Sequence, residues 1–266
     1  MPAVDILQIK KNLKTSRFGQ AIHFEPSIDS TNNWALSGID FGAKCGEVFL
    51  TDFQTRGHGR QDRVWESTKG KNILMSLIDE APRDSGKIFQ LTLVAGVAFQ
   101  EALASLFPSL DIQLKWPNDL LVYPEREKQV ERVKGKKLAG ILCEKHSSRP
   151  TAVIGVGINV NSTEKDFSEP VGGLAASLTL QIGSPVNREE VISACLNAYE
   201  KWRKEYDRFG LNPIRTAWLE KTDMMGKKVR VIEGEKIVEG TVNDLDKDGF
   251  LVVDGKKVIS GDVIIL

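Results

Sequence analysis

The sequence predicts an α+β protein that ends in a small antiparallel barrel, and three observations predict it. From Ala21 onward, strand-like and helix-like stretches mingle without the regular alternation of a doubly wound sheet. Two stretches carry a long apolar stripe at helical spacing. After Lys221-Thr222-Asp223 the texture changes to short β-branched runs separated by Gly and Asp turns, the pattern of a barrel of about forty residues. At 266 residues the chain has room for one large domain and one small one. The boundaries fall at 1–20 for an N-terminal leader, 21–222 for the larger domain and 223–266 for the barrel.

Residues 1–20 are short and mixed in charge, and read as a helical or loose leader. Segments 48–51 and 72–78 are short, apolar and bounded by Gly and charged turns, which predicts strands. Leu91, Ala95, Ala98, Phe99, Ala102 and Leu106 recur every three to four positions and predict a helix over 88–107. Strands follow at 112–116, 139–143 and 152–160. The charge-dense 125–137 reads as a solvated hairpin between two core strands. Asn187 with Glu190 forms a capping box, and Val191, Cys195, Ala198, Tyr199, Trp202, Tyr206 and Phe209 give the second helical stripe, ended by Gly210. In the barrel, strands are expected at 229–232, 237–238, 251–253 and 263–265.

Composition removes several classes of function. Lys+Arg 36 balances Asp+Glu 36, so no net positive charge points to nucleic acid or to a membrane surface. Three scattered cysteines make neither a disulfide framework nor a metal cluster. No apolar segment is long and uninterrupted enough to span a bilayer, and the start has no secretory pattern, so a cytoplasmic protein is expected.

Five short segments carry candidate chemistry. Gln54 to Trp65 holds Gly57, His58 and Gly59 among Arg56, Arg60 and Arg63; glycine lets backbone N–H groups approach an anion, and guanidinium pairs with carboxylate or phosphate. An exposed basic loop has the same ingredients, but the length and the closing aromatic favour an anion-binding lid. Lys115-Trp116-Pro117-Asn118-Asp119 ends a strand, and its cation, amide and carboxylate suit a nucleotide with Mg²⁺; the same residues also make an ordinary turn. Lys137 precedes the small Ala139-Gly140 pair, which permits close approach to the strand. Gly155 and Gly157 bare one face of an apolar strand, for a flat ring or for close core packing. Asp29-Ser30-Thr31-Asn32-Asn33 is either a helix cap or a set of groups for a neutral polar ligand.

The ordered set of Ser-Thr-Asn at 30–32, Gln54-x(2)-Gly-x-Gly-Arg-x(2)-Arg-x-Trp65, Lys115-Trp-Pro-Asn-Asp119, Lys137-Leu-Ala-Gly-Ile-Leu-x-Glu144 and Gly155-x-Gly-Ile-Asn-Val-Asn161 resembles the biotin protein ligases. The resemblance runs from about Ala21 to Leu266. It implies the mixed or antiparallel sheet flanked by helices of the biotin/lipoate ligase catalytic fold, akin to class II synthetases, and an SH3-like barrel behind it. It implies ATP-dependent biotinylation of a lysine on the biotin carboxyl carrier domain of acetyl-CoA carboxylase or a related carboxylase, through biotinyl-5′-adenylate, with Mg²⁺. Biotin contacts are implied for Ser30, Thr31, Asn32, Gln54, Gly57, His58, Gly59, Arg60, Lys137 and Gly140. ATP or adenylate contacts are implied for Arg60, Arg63, Trp65, Lys115, Asn118, Asp119, Lys137 and Asn159. The resemblance implies that Lys137, Arg60 and Asp119 carry the chemistry, with Asp119 either holding Mg²⁺ or helping the incoming lysine lose its proton. The 54–65 loop is expected to order over the adenylate, with 162–173 as a second cover. Arg60→Gly is expected to release adenylate and label nearby lysines indiscriminately.

This chain departs from the family pattern at three places. His58 stands where arginine is common, and Asp62, where glycine is common, reduces the loop's positive charge. Only 29 residues precede Ser30, too few for the DNA-binding domain of the repressor members, so a monofunctional ligase without operator binding is expected, as monomer or homodimer. Lipoate or octanoate attachment is the neighbouring reading; its transferases use a nucleophilic cysteine, whereas Cys143 lies between core-facing residues and reads as structural. A non-catalytic biotin or nucleotide sensor is the reading from another class.

Overall fold

The computed structural model describes residues 3–123, 135–169 and 171–266, with the backbone alone at 62, 85 and 172. In chain order the elements are α1 (Ile6–Asn12), β1 (Ile22–Glu25), α2 (Thr31–Asp40), β2 (Val48–Thr51), β3 (Ile73–Glu80), α3 (Gln90–Leu106), β4 (Asp111–Lys115), β5 (Asp119–Tyr123), β6 (Lys136–Lys145), β7 (Thr151–Ile158), α4 (Leu178–Ile182), α5 (Arg188–Phe209) and α6 (Asn212–Glu220). Then follow β8 (Lys228–Glu233), β9 (Lys236–Leu245), β10 (Leu251–Val253), β11 (Lys256–Val258) and β12 (Asp262–Ile265).

The first seven strands form one sheet in the order β1-β2-β3-β7-β6-β5-β4. β1 and β2 run parallel and the other neighbours antiparallel, so the sheet is mixed. β3 and β7 are buried on both faces, which is why they read as continuous apolar runs. α3 packs against the sheet and against α5 and is buried almost all round. Gln90 is matched, donating to Asp248 O at 2.9 Å and accepting from Tyr206 Oη at 2.7 Å, whereas Gln100 donates to Ile112 O at 2.9 Å and leaves its buried Oε1 without a partner. α5 starts as expected, with Asn187 accepting from Glu190 N at 2.9 Å, and is capped by Gly210.

The last five strands form an antiparallel sheet in the order β11-β10-β9-β8-β12. Val229, Val231, Val242, Leu251, Val253 and Val263 fill its inner side. This small domain is seated firmly on the larger one. Phe250 stacks on Phe89 with centroids 4.3 Å apart, and Trp116 Nε1 donates to Gly249 O at 3.2 Å. Gly249, at φ 96°, has Leu93 where a Cβ would lie, 2.6 Å away, so only glycine allows the turn to sit this close.

Of the two readings of 1–20, helical or loose, the structure has a helix over Ile6–Asn12 and a segment tied to the larger domain. α1 is capped by Asp5 and packs on α5, and Ile9 and Phe18 are fully buried. Glu200 of α5 accepts from Ser16 N, Arg17 N and Phe18 N at 2.8 to 3.1 Å. Two anchors nine residues apart give no periodic signal, and the carboxylate that receives the backbone is more than 180 residues away. β1, β5 and β11 were not expected either. Lys115 to Asp119 is the turn of a hairpin, and Asp119 is the first residue of β5, paired with Lys115, where the pattern predicts a free strand end. The expected 125–137 hairpin lies outside the described residues up to 134, as does the Asp62 side chain; Lys136 and Lys137 open β6.

Candidate functional site

One face of the sheet carries a cavity of about 170 Å³ between α2, the 54–65 loop, β6, β7 and the start of β12. Of the residues expected at the site, Ser30, Thr31, Asn32, Gln54, His58, Gly59, Arg60, Arg63, Trp65, Asn118, Asp119, Lys137 and Gly140 line it. Gly57, Lys115 and Asn159 do not. Neither do the described residues of 162–173, which instead bond beside the loop through Ser168 to Glu66 and Asp166 to Lys71.

The loop is folded as a short hairpin. Trp65 N donates to Gly57 O, Gly59 N donates to Arg63 O, and Gln61 takes the left-handed conformation at the tip. Gly57 is obligatory here: a Cβ would come within 2.7 Å of Gln54 Nε2 and Trp65 O. Arg60 and Arg63 turn inward, whereas Arg56 is exposed and pairs with Asp29 at 3.5 Å.

The polar wall comes from the start of α2. Thr31 N donates to Gln54 Oε1 at 2.8 Å, and Asn32 donates to Glu144 Oε2 at 2.6 Å. Ser30 is the N-cap residue of α2, as one reading of this motif has it, and its carbonyl accepts from Trp34 N at 3.0 Å, but its side chain makes no cap bond. The floor is glycine. A Cβ on Gly157 would lie 2.3 Å from the Trp65 indole, and one on Gly155 would lie 2.1 Å from Asn32 Oδ1. The flat ring expected over these glycines is therefore present as the protein's own Trp65. At about 170 Å³ the cavity is smaller than the roughly 300–1,000 Å³ of small-molecule sites, and the indole over Gly140 and Gly157 takes up part of its floor.

The charged end is built by β5, β6 and the loop. Lys137 Nζ pairs with Asp119 Oδ1 at 2.7 Å but off the hydrogen-bonding direction, leaving that buried oxygen without an aligned donor. Lys137 also lies 5.4 Å over the Trp65 ring, whose buried Nε1 has no partner. Arg60 reaches Asn118 Oδ1 and Gly261 O, each at 3.4 Å. Burial lowers its hold on the proton, opposed by the carboxylates of Asp262 and Asp119. Burial likewise pushes Lys115 down, with Asp119 opposing.

Asp262 was missed. It lines the cavity from the barrel and pairs with Arg63, and nothing in its neighbourhood of sequence links it to residues 200 positions earlier. Glu144 and Ser76, behind the polar wall, were also missed as site residues; only the terminal glutamate of the Lys137–Glu144 motif carried a signal. Cys143 points into the core, its Sγ 3.7 Å from Ile88 O, and burial drives its thiol far up, so it offers no nucleophile to the cavity.

Residues 24–161 match the biotin/lipoate A/B protein ligase family, and residues 225–266 match the biotin protein ligase C-terminal domain. The chain is 32% identical over 263 residues to the bifunctional ligase/repressor BirA of Bacillus spizizenii, covering 96% of this chain and 77% of that protein. It is 32% identical over 246 residues to the biotin–[acetyl-CoA-carboxylase] ligase of Mycobacterium tuberculosis, covering 86% and 82%. In fold it matches the biotin protein ligase of Aquifex aeolicus, solved in complex with biotin and ATP, with a TM-score of 0.77 over 93% of this chain and 99% of that one at 24% identity. No helix among the described residues is long and apolar enough to cross a membrane. The chain belongs to the biotin/lipoate A/B protein ligase family and carries that family's biotin-ligase type of C-terminal domain.

Proposed function

We propose that this protein activates biotin with ATP and transfers it to a specific lysine of a biotin carboxyl carrier domain. The observation that carries the reading is the meeting, in one cavity, of Lys137, Arg60 and Asp119 with the polar wall of Thr31, Asn32 and Gln54. Joining a carboxylate to an α-phosphate brings two anions together, and fixed cations offset that repulsion in the transition state. Lys137 and Arg60 are cations at that place, and the wall beyond them is neutral and polar, suited to the uncharged end of biotin.

In this reading a biotin carboxylate oxygen attacks the α-phosphorus, the bond to the β-phosphate oxygen breaks, and pyrophosphate leaves with biotinyl-5′-adenylate formed. The carrier lysine's amine then attacks the acyl carbon, loses a proton, and AMP leaves. Trp65, swung from the glycine floor, stacks on the adenine, and the 54–65 hairpin keeps water from the mixed anhydride. Magnesium in nucleotide sites is held by one or two carboxylates plus phosphate oxygens. Asp119, with a buried oxygen lacking an aligned donor beside Asn118, fits that demand; it would hold the ion, which would neutralise phosphate charge.

ATP–pyrophosphate exchange with Mg²⁺, run with biotin, lipoate, octanoate and no acid, tests this. Exchange with biotin alone is expected. Exchange with lipoate or octanoate in its place overturns the substrate, and biotin binding without exchange overturns the ligase reading in favour of a sensor.

A further inference from the structure

Behind the polar wall lies a chain of hydrogen bonds whose directions follow from which atoms can donate. Asn32 Nδ2 faces Leu142 O at 3.3 Å and Glu144 Oε2 at 2.6 Å. Both of those atoms only accept, so the amide cannot be flipped, and Asn32 Oδ1 must face the other way. There it meets Ser76 Oγ at 2.6 Å. A carbonyl oxygen cannot donate, so the single Ser76 proton is committed to Asn32. Ser76 Oγ also lies 2.8 Å from Thr31 Oγ1, and Thr31 Oγ1 lies 3.0 Å from Gln54 Oε1. With the Ser76 proton spent, the Thr31 proton has two places to go, Ser76 Oγ or Gln54 Oε1, and both lie in the wall. Thr31 Oγ1 therefore presents a lone pair to the cavity, not a proton.

Ser76 is fully buried on β3, and neither it nor Glu144 lines the cavity. Glu144 is one-third exposed, with His58 Nε2 3.6 Å away. These two residues set what the cavity wall can recognise while standing where a ligand does not touch them.

We infer that Ser76 and Glu144 are positioning residues that fix Thr31 as a hydrogen-bond acceptor and so select acids whose far end carries an N–H donor. The inference rests on the biotin reading and deepens it: the ureido ring of biotin carries such N–H groups, whereas the dithiolane of lipoate and the tail of octanoate carry none. A site built to pair with a donor leaves a buried acceptor unmatched when the donor is missing, which discriminates far more strongly than a missing methylene would.

The test is pyrophosphate exchange by the full chain, by Glu144→Gln and by Ser76→Ala, with biotin, with biotin methylated at its ureido nitrogens, and with lipoate. Glutamine keeps the shape of Glu144 but replaces a charged acceptor by a neutral one that can also turn its NH2 to Asn32, which loosens the amide's orientation and leaves it to Leu142 O at 3.3 Å; alanine at Ser76 removes the relay at its centre. Loss of one oriented hydrogen bond predicts a biotin KM raised by about tenfold, with the ATP KM and kcat within about twofold of the unaltered protein. The penalty for N-methylation should shrink in both variants, a change that loosened folding would not produce. Urea unfolding midpoints report whether each variant is folded. Biotin KM unchanged in folded Ser76→Ala, or ATP KM rising in step with it, overturns the inference while leaving the ligase reading standing. Absence of biotin-dependent exchange in the unaltered protein would overturn both.

Discussion

Two clusters of arginine and carboxylate sit on opposite faces of the same sheet, because Ser76 and Asp79 of β3 point to opposite sides. On the α5 side Asp79 is fully buried and fully matched. Arg17 Nη2, Arg203 Nε and Tyr199 Oη each donate to it at 2.7 Å, and Glu80 N does so as well. On the cavity side the same residue types are left incomplete. Asp119 has an oxygen without an aligned donor, Trp65 Nε1 has no partner, and Arg60 holds its two acceptors only at 3.4 Å. The contrast separates a charge cluster that the fold finishes from one that it leaves with unmatched groups. Burial does not distinguish them, and neither does the list of residue types. Satisfaction does.

The comparison breaks most visibly at Asp79. Asp79→Ala would leave Arg203, which is 6% exposed, with only its second partner, the half-exposed Asp207, and removing one partner of a buried pair costs up to about 3–5 kcal/mol. Urea unfolding should show that loss, while any folded fraction keeps its exchange activity per molecule. A midpoint within about 1 kcal/mol of the parent would mean that the cluster is as dispensable as a surface pair.

Lys137→Ala should do the reverse. Lys137 is 37% exposed, and its ion pair with Asp119 lacks hydrogen-bond alignment, so stability should stay within about 0.5 kcal/mol. Biotin-dependent pyrophosphate exchange should fall by about a hundred- to a thousandfold, the usual effect of deleting one stabiliser of transition-state charge. Unchanged exchange with lost stability would exchange the roles assigned to the two clusters.

Much of this was legible in the sequence, and the limit has a physical form. α3 and α5 announce themselves because a helix repeats its buried face every three to four residues, and β3 and β7 because they are apolar on both faces. β1 and β5 do not: β1 is half-buried at the sheet's edge, and β5 starts inside the turn-like Lys115-Trp116-Pro117-Asn118-Asp119. At the cavity, motif residues were legible because the chemistry demands unusual combinations in a short span. Gly157 was read as a gap for a flat ring, but the identity of that ring as Trp65, some ninety residues away, is a tertiary fact. Ser76 and Asp262 are ordinary residues in ordinary strands, and only the partners that folding brings to them make them informative.

A smaller effect, on pH, comes from the Glu200 anchor. Burial alone would raise its pKa, but Lys204 and the backbone N–H groups of Ser16, Arg17 and Phe18 outweigh that and hold it at about 2, against an ordinary 4.5. A carboxyl depressed in the folded state stabilises above its unfolded pKa, and that contribution disappears as pH falls from about 4.5 toward 2. Glu200→Gln should therefore be less stable at neutral pH and should show a flatter loss of stability across that window. Parallel curves for the two proteins would show that Glu200 does not carry the acid limb.

The weakest effect belongs to Asp262, and it bears on how the unfinished cluster waits for its ligand. Its carboxylate pairs with Arg63, and the neighbouring Gly261 carbonyl takes Arg60, so the barrel holds both arginines of the loop. Arg63 is 62% exposed, so the pair is screened and worth at most about 1 kcal/mol, a factor of up to about five. Asp262→Asn should accordingly let trypsin cut the 54–65 loop about two- to fivefold faster in the ligand-free protein, since cleavage follows the population of the open loop. Raising the salt should speed cleavage of the parent toward the variant's rate, because a screened pair weakens with ionic strength. With biotin and ATP present the two rates should converge, the phosphates then holding the arginines that Asp262 holds in their absence. A difference that persisted with both ligands bound would make Asp262 part of the completed site, and equal rates without ligand would leave the barrel no part in ordering the loop.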